Sequence, residues 1–429
     1  MIIMSVAAIL LSAGANQVSE IAVQAAAVQP KVVSWRRDIH TRPELGNREF
    51  RTSGLVANHL RDLGLEVRTG VGVTGVVGVL RGGQPGGVVA LRADMDALPV
   101  EEKTGLAFAS HAVAPYLDGV APVMHACGHD AHVAMLMGAA EVLTAVRSEI
   151  RGTVVFVFQP AEEGAPPGET GGAARMMAEG VFADPVPEAI FGMHVTPGDS
   201  GEISYRARGF YAAADRLMIT LTGAQTHAAR PWAGVDVISL GAEVVLALNT
   251  FAARQLDVTA SPTVITIATV DAGIRNNIIP EQMVMTGTIR TFDPERRREV
   301  MAQLPRLVTS LADRYGASAV TAFDRPAPLV FNEPELATAM LPSLVEAAGG
   351  RDRVEEAAAP TSLAEDFSFF TRDIPGLYVQ LGARPPGIDA AKASPNHSPY
   401  FDIDEQAMET GVRVYARLAF DYLAWRDRP

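Results

Sequence analysis

The sequence predicts an α/β protein: a mostly parallel sheet flanked by helices, interrupted by an inserted α+β domain of βαββαβ order. Three observations predict it. Short apolar runs rich in β-branched residues, at Gly75–Leu80, Val88–Leu91, Gly152–Phe158 and Ile190–His194, alternate with helical stretches in the first half. From about Ala212 to Val330 the rhythm changes. A strand (Asp215–Leu221) leads to a helix (Val235–Arg254), two strands (Pro262–Val270 and Glu281–Phe292), a charged helix (Pro294–Tyr315) and a last strand (Ser318–Phe323). Finally, 429 residues exceed the roughly 100–200 of one domain.

In chain order, Ile2–Leu11 is apolar and Ala13-Gly14-Ala15 follows it in the manner of a small-residue cleavage site. No Lys or Arg precedes the run, so an apolar N-terminal helix is the alternative to an export signal over residues 1–16. Export, to a periplasm or beyond, is the preferred localisation, with the cytoplasm otherwise. Gln17–Trp35 supplies the first helix of an α/β domain whose first part spans 17–211. Arg36–Ser53 then carries Asp38-Ile39-His40 and Arg42-Pro43-Glu44-Leu45, and a helix runs to about Leu63. The inserted domain occupies 212–330, and the α/β domain resumes over 331–429 with the helix Glu333–Ala348.

Ligands of open α/β sheets gather at the carboxyl ends of the strands. Arg92-Ala-Asp94-Met-Asp96, Gln159-Pro-Ala-Glu162-Glu163 and Gly192-Met-His194 each sit at such an end. Between the first two lies Met124-His-Ala-Cys-Gly-His-Asp-Ala-His132, which holds the only cysteine of the chain. The apolar, proline-free run Val133–Val146 places this cluster at a helix N-terminus, where the dipole favours a thiolate, the form that binds metal. Cys127 and His129 face one ion on a tight loop and diverge on a continuous helix. This stretch alone leaves open a metal site or a small buried cysteine beside ordinary helix-start residues.

Composition narrows the partners. A net charge of −13 without a basic stripe argues against a nucleic-acid partner. No apolar run reaches the roughly 20 residues of a bilayer span, which argues against stable membrane insertion. A single cysteine forms no intramolecular disulfide.

Leu91-Arg-Ala-Asp-Met-Asp-Ala-Leu-Pro99, His125-Ala-Cys-Gly-His-Asp-Ala-His132, Phe158-Gln-Pro-Ala-Glu-Glu163, Gly192-Met-His194, Asn277-Ile-Ile-Pro280 and Glu365-Asp-Phe367 occur in this order. Together they resemble the metal-dependent aminoacylase/carboxypeptidase family, nearest to its hippurate and indole-acetyl-amino-acid hydrolases. The likeness runs from about residue 30 to the C-terminus. It implies two divalent ions per subunit. Cys127 would bridge them, His129 and His194 would complete one shell, and Glu163 and His397 the other. Thiolate, imidazole and carboxylate together suit zinc or manganese, with cobalt or nickel as alternatives, better than calcium or magnesium. The resemblance makes Glu162 the general base and Asp96 the group that orients a ligand histidine. His125 and His132 flank the site as structural residues, and His40, His59 and His111 have no partner in these motifs.

The inserted segment resembles the family's lid and dimerisation domain, which implies a homodimer. In relatives a histidine after a glycine-rich turn donates to the oxyanion across subunits. Here that turn reads Gly223-Ala-Gln-Thr-His227, and Ala224-Gln225-Thr226 departs from the family's usual basic and small residues. Leu363-Ala364 stands where relatives have a glycine. Asn277 and Arg290 are the expected donors to a substrate carboxylate, with Arg275 a weaker rival. The implied activity is hydrolysis of the amide bond of N-acyl amino acids. A carboxypeptidase or dipeptidase acting on short peptides is the close alternative, and a metal-stabilised binding protein the distant one.

Overall fold

The computed structural model describes residues 3–426, with side chains from residue 20 onward except at 325 and 326. The side chains on which the export reading rests, Ile2–Leu11 and Ala13–Ala15, therefore lie outside the described residues. The chain forms two compact units. One comprises the chain up to Ala207 with Phe331–Ala358 and everything from Phe369, and the other Arg208–Val330 with Ala359–Ser368.

The central sheet of the first unit contains β1 (Glu66–Val71), β2 (Gly75–Arg81), β3 (Gln84–Asp94), β4 (Arg151–Gln159), β5 (Ala189–Thr196) and β6 (Gly376–Gly382), in the order β1-β2-β4-β3-β5-β6. β4, β3, β5 and β6 run parallel, while β1 and β2 add an antiparallel edge. The parallel strands are almost continuously apolar because helices cover both of their faces. β1 escaped the apolar pattern because it is an edge strand with no fully buried residue. The helices are α1 (Ile3–Thr41), α2 (Phe50–Asp62), α3 (His129–Ala145), α4 (Pro334–Ala348) and α5 (Ala407–Arg426). α1 runs past Trp35 to Thr41, so Asp38-Ile-His40 is its last turn rather than a loop.

Beyond its first turn α3 is almost wholly apolar, and it is buried along nearly its whole length, packed between α1, α5 and β3. Its first residue is His129, so the central helix of the unit begins at the cysteine–histidine cluster. Asn332 fixes the place where the chain returns to this unit. Its buried amide donates to the carbonyls of Arg206 and Tyr378, each at 2.9 Å, and accepts from the Tyr378 N–H at 2.7 Å.

The second unit is a four-stranded antiparallel sheet in the order Thr263–Ala272, Gln282–Thr291, Ala213–Thr222, Ser318–Ala327. Alternate residues Leu217, Ile219, Leu221, Met283, Met285 and Ile289 form one apolar face. The helices Val237–Arg254 and Pro294–Tyr315 complete that core. Both helices start at aspartates that cap them, Asp236 and Asp293, each accepting from two backbone N–H groups. Val237–Arg254 is apolar and long enough to cross a membrane, but Leu240, Val244, Leu248 and Phe251 place its buried stripe in this core. Ala359–Ser368 belongs here rather than with the α/β unit. Thr361 explains why, since its N–H donates to the Phe210 carbonyl and its carbonyl accepts from Ala212.

Candidate metal centre

The carboxyl ends of β3, β4 and β5 deliver three segments to one place, and the loop before α3 delivers the fourth. Gly128 makes that loop possible. It adopts a left-handed conformation, φ 92°, and a Cβ there would lie 2.3 Å from Cγ2 of Val195. The turn at Gly128 sets Cys127 and His129 on the same side, which resolves the alternative that the spacing left open.

Cys127 Sγ lies 3.3 Å from His194 Nε2 and 3.2 Å from His397 Nε2. His397 Nε2 is in turn 3.0 Å from Glu163 Oε1. Two donor triads result, Cys127–His129–His194 and Cys127–Glu163–His397, each with its ligand atoms within 4.8 Å of one another. Cys127 is common to both. Glu162 joins His129 and Glu163 in a third group of the same compactness.

The surrounding contacts fix which atom each residue presents. His129 Nδ1 meets the Asp96 carbonyl at 2.9 Å and Asp96 Oδ1 at 3.2 Å, so its proton resides there. Its Nε2 is buried with no hydrogen-bond partner among the described residues, and Asp94 Oδ2, at 3.7 Å, is too far to serve. His194 Nδ1 donates to the Val195 carbonyl at 2.7 Å, which leaves Nε2 facing the sulfur. Asp96 also accepts from the Glu163 N–H at 2.9 Å and so orients both triads. His397 has a left-handed backbone, φ 69°, and its N–H donates to the Ala126 carbonyl at 2.8 Å. Asn396, whose part the sequence did not reveal, donates to the carbonyls of Cys127 and Val195 and ties this loop to both.

His132 is structural: Nδ1 contacts Asp94 Oδ1 at 2.5 Å and Nε2 accepts from the Val195 N–H at 2.9 Å. His125 is buried, and neither ring nitrogen has a hydrogen-bond partner among the described residues.

The electrostatics call for a cation. Burial, then Glu163 and Glu162, push the Cys127 thiol well above its ordinary value. Burial opposes a charge on His129, but Asp94, Asp96 and Glu163 outweigh it and raise that imidazole to about 10. A buried thiol beside two glutamates and an imidazole nitrogen with no hydrogen-bond partner among the described residues fit a soft-to-borderline divalent ion.

His227, Asn277 and Arg290 all lie in the second unit. His227 pairs with Ile278 across a two-residue ladder, and the Asn277 carbonyl accepts from Ala228 N–H at 3.0 Å. The exposed His227 ring accepts from Ala229 N–H at Nδ1, 3.0 Å, so its neutral form carries the proton on Nε2. Arg290 lies between Ala214 and Val264 on the sheet face away from the apolar core.

Comparison with known proteins gives concordant relatives. The family model described as Peptidase family M20/M25/M40 matches residues 90–421. Thermostable carboxypeptidase 2 of Saccharolobus solfataricus is 38% identical, over 92% of this chain and 96% of that protein. IAA-amino acid hydrolase ILR1-like 2 of Arabidopsis thaliana is 36% identical over 92% of this chain and 87% of its own length. Among solved structures, the Bacillus subtilis YXEP protein, described as a dinuclear metal binding peptidase, superposes with a TM-score of 0.77. It is 32% identical and covers 93% of this chain and 99% of that one.

Beneath the cluster, an ion network anchors the first turn of α3. Asp130 accepts from Arg36 Nε at 2.9 Å and His40 Nδ1 at 2.8 Å, while His40 Nε2 contacts Glu102 at 3.2 Å. His40 thus bonds a carboxylate through each nitrogen, which requires the imidazolium. Burial opposes that charge, but Asp130 and then Glu102 outweigh it and raise the pKa to about 9. The folded value exceeds the unfolded one of about 6.5, so the stabilisation is complete below about pH 6.5 and is lost as pH rises towards 9. Urea unfolding should show wild-type stability falling by about 3 kcal/mol more than that of His40→Gln between these limits. Parallel pH dependence in the two proteins would contradict the charged form.

Proposed function

The chain belongs to Peptidase family M20/M25/M40 and is a metal-dependent hydrolase, and we propose that its substrates are N-acyl amino acids, cleaved at the amide bond to a carboxylic acid and a free amino acid. The observation that carries the dinuclear part of this reading is the single sulfur shared by two donor triads. In our reading Cys127, His129 and His194 hold one ion and Cys127, Glu163 and His397 the other, with zinc or manganese preferred over cobalt or nickel. When bound, such ions polarise the scissile carbonyl and lower the pKa of water.

The chain's own groups supply the proton transfers. Glu162 takes up the proton of the attacking water and returns it to the leaving nitrogen. Asp96 keeps His129 and Glu163 in register. His227 donates its Nε2–H to the developing oxyanion and, as the family resemblance implies, does so within a homodimer formed by the lid. Asn277 and Arg290 receive the α-carboxylate, Arg290 through its planar fork. We propose export as the localisation, supported by Ile2–Leu11 and Ala13-Gly14-Ala15, with the cytoplasm as the alternative.

The 38% identical carboxypeptidase favours a second reading, in which short peptides are the substrates. Glu162 speaks against a binding protein, which needs no general base. Release of free amine from a panel of N-acyl amino acids and dipeptides distinguishes the three, and hydrolysis of neither class would leave only the binder. On the best substrate, Glu162→Gln should lower kcat about 100- to 10,000-fold with both ions retained. Glu163→Gln should release metal. Elemental analysis giving the reverse pattern would exchange the two roles. Arg290→Ala should cost about 2–4 kcal/mol in kcat/KM on acids and little on the corresponding amino-acid amides. Equal losses on both would show that Arg290 does not read the carboxylate.

A further inference from the structure

Glu162 and Glu163 follow a residue held in an unusual conformation. Ala161 has φ 50°, in the left-handed region, where a side chain other than glycine's is disfavoured by about 1–2 kcal/mol. Such a conformation persists only where its surroundings over-determine it. The surroundings here come from the segment Glu44–Glu49, to which the metal chemistry assigns no task.

Glu49 is fully buried, and its Oε1 accepts from the Ala161 N–H at 2.8 Å. Its Oε2 lies 2.5 Å from Thr74 Oγ1. The Glu49 backbone is fixed at the start of α2, where its carbonyl accepts from the Ser53 N–H. Gly46 lets the two segments close on each other, since a Cβ there would stand 2.5 Å from the Gly164 carbonyl oxygen and 3.1 Å from Ala161 Cβ. On the far side the Glu163 N–H is held by Asp96. The two carboxyl groups therefore grip the turn at both ends, with Glu162 between them.

We propose that Glu49 is a positioning residue for the general base: it holds Ala161 in the left-handed conformation that aims Glu162, while Asp96 holds Glu163. This rests on the reading of Glu162 as the base. Burial, then the charge of Asp96, push the Glu49 carboxyl up to about 8. Both carboxyl oxygens act as acceptors here, Oε1 from the Ala161 N–H and Oε2 from the Thr74 hydroxyl. Glutamine keeps a carbonyl acceptor for the Ala161 N–H and turns its amide donor to Thr74, whose hydroxyl can accept in its place, whereas alanine removes both contacts.

The test measures kcat, KM, bound metal and melting temperature with the fastest N-acyl amino acid of the panel. Glu49→Ala should lower kcat about 100-fold, the scale of a base displaced by about 1 Å, with KM and both ions nearly unchanged. Glu49→Gln should recover to within about tenfold of wild type, because the acceptor is restored. The decisive comparison uses Ala161→Gly, since glycine takes a positive φ without help. In that background Glu49→Ala should cost less than about tenfold, the left-handed turn no longer depending on the carboxyl. An equal cost in both backgrounds, or a glutamine variant as slow as the alanine one, would overturn the proposal. Should Glu49→Ala alone not fold, a loss of more than about 100-fold in Glu49→Gln, or of more than about tenfold for Glu49→Ala within the Ala161→Gly background, would overturn the proposal instead. Full turnover by Glu162→Gln would instead defeat the assignment of the base, a different failure read from a different protein.

Discussion

A sulfur atom placed among carboxylates is the constraint around which the first unit is built. Cys127 is buried beside Glu162 and Glu163, an environment that resists the thiolate unless a cation is present. His194 and His397 each present Nε2 to the sulfur, and His129 offers a third imidazole nitrogen that has no hydrogen-bond partner among the described residues. Holding these groups together without an ion leaves buried polar atoms unsatisfied, at a cost of about 1–3 kcal/mol for each. The fold carries that cost through the apolar packing of α3, whose first turn begins at the site and whose remainder lies in the core.

The supporting contacts come from parts of the chain distant in sequence. α1 supplies Arg36 and His40 to Asp130, one residue beyond His129. The turn before α2 supplies Glu49 and Gly46 to the loop of Glu162 and Glu163. Asn396 ties His397 to the Cys127 loop and to β5. Candidate ligands drawn from four segments are each tied by hydrogen bonds to groups distant in sequence, and this favours a preorganised centre over one assembled by the ions.

Much of this was legible in the sequence, for identifiable reasons. The parallel strands showed because strands buried on both faces are continuously apolar, and the βαββαβ order showed because its strand runs alternate with two long helical stretches. The candidate ligands were visible because histidine and paired glutamates stand at strand ends, a lone cysteine stands beside histidines at a helix start, and these motifs in that order resemble a known family. The edge strand β1 was hidden, since an exposed edge need not be apolar. The roles of His40, Glu49 and Asn396 were hidden for another reason. Each acts through a hydrogen bond to a residue far along the chain, and no local pattern records such a partner. The excursion of Ala359–Ser368 into the second unit, made by backbone bonds of Thr361, is equally silent in side-chain chemistry.

The central claim is that one thiolate serves two ions, and spectroscopy tests it directly. Exchange of the resident metal for cobalt(II) converts a sulfur ligand into a near-ultraviolet charge-transfer band, while elemental analysis counts the ions. The account predicts two cobalt ions per chain, a sulfur-to-cobalt band that appears as both are loaded, and its disappearance in Cys127→Ser. A single ion at saturation, or two ions with no sulfur band, would contradict it.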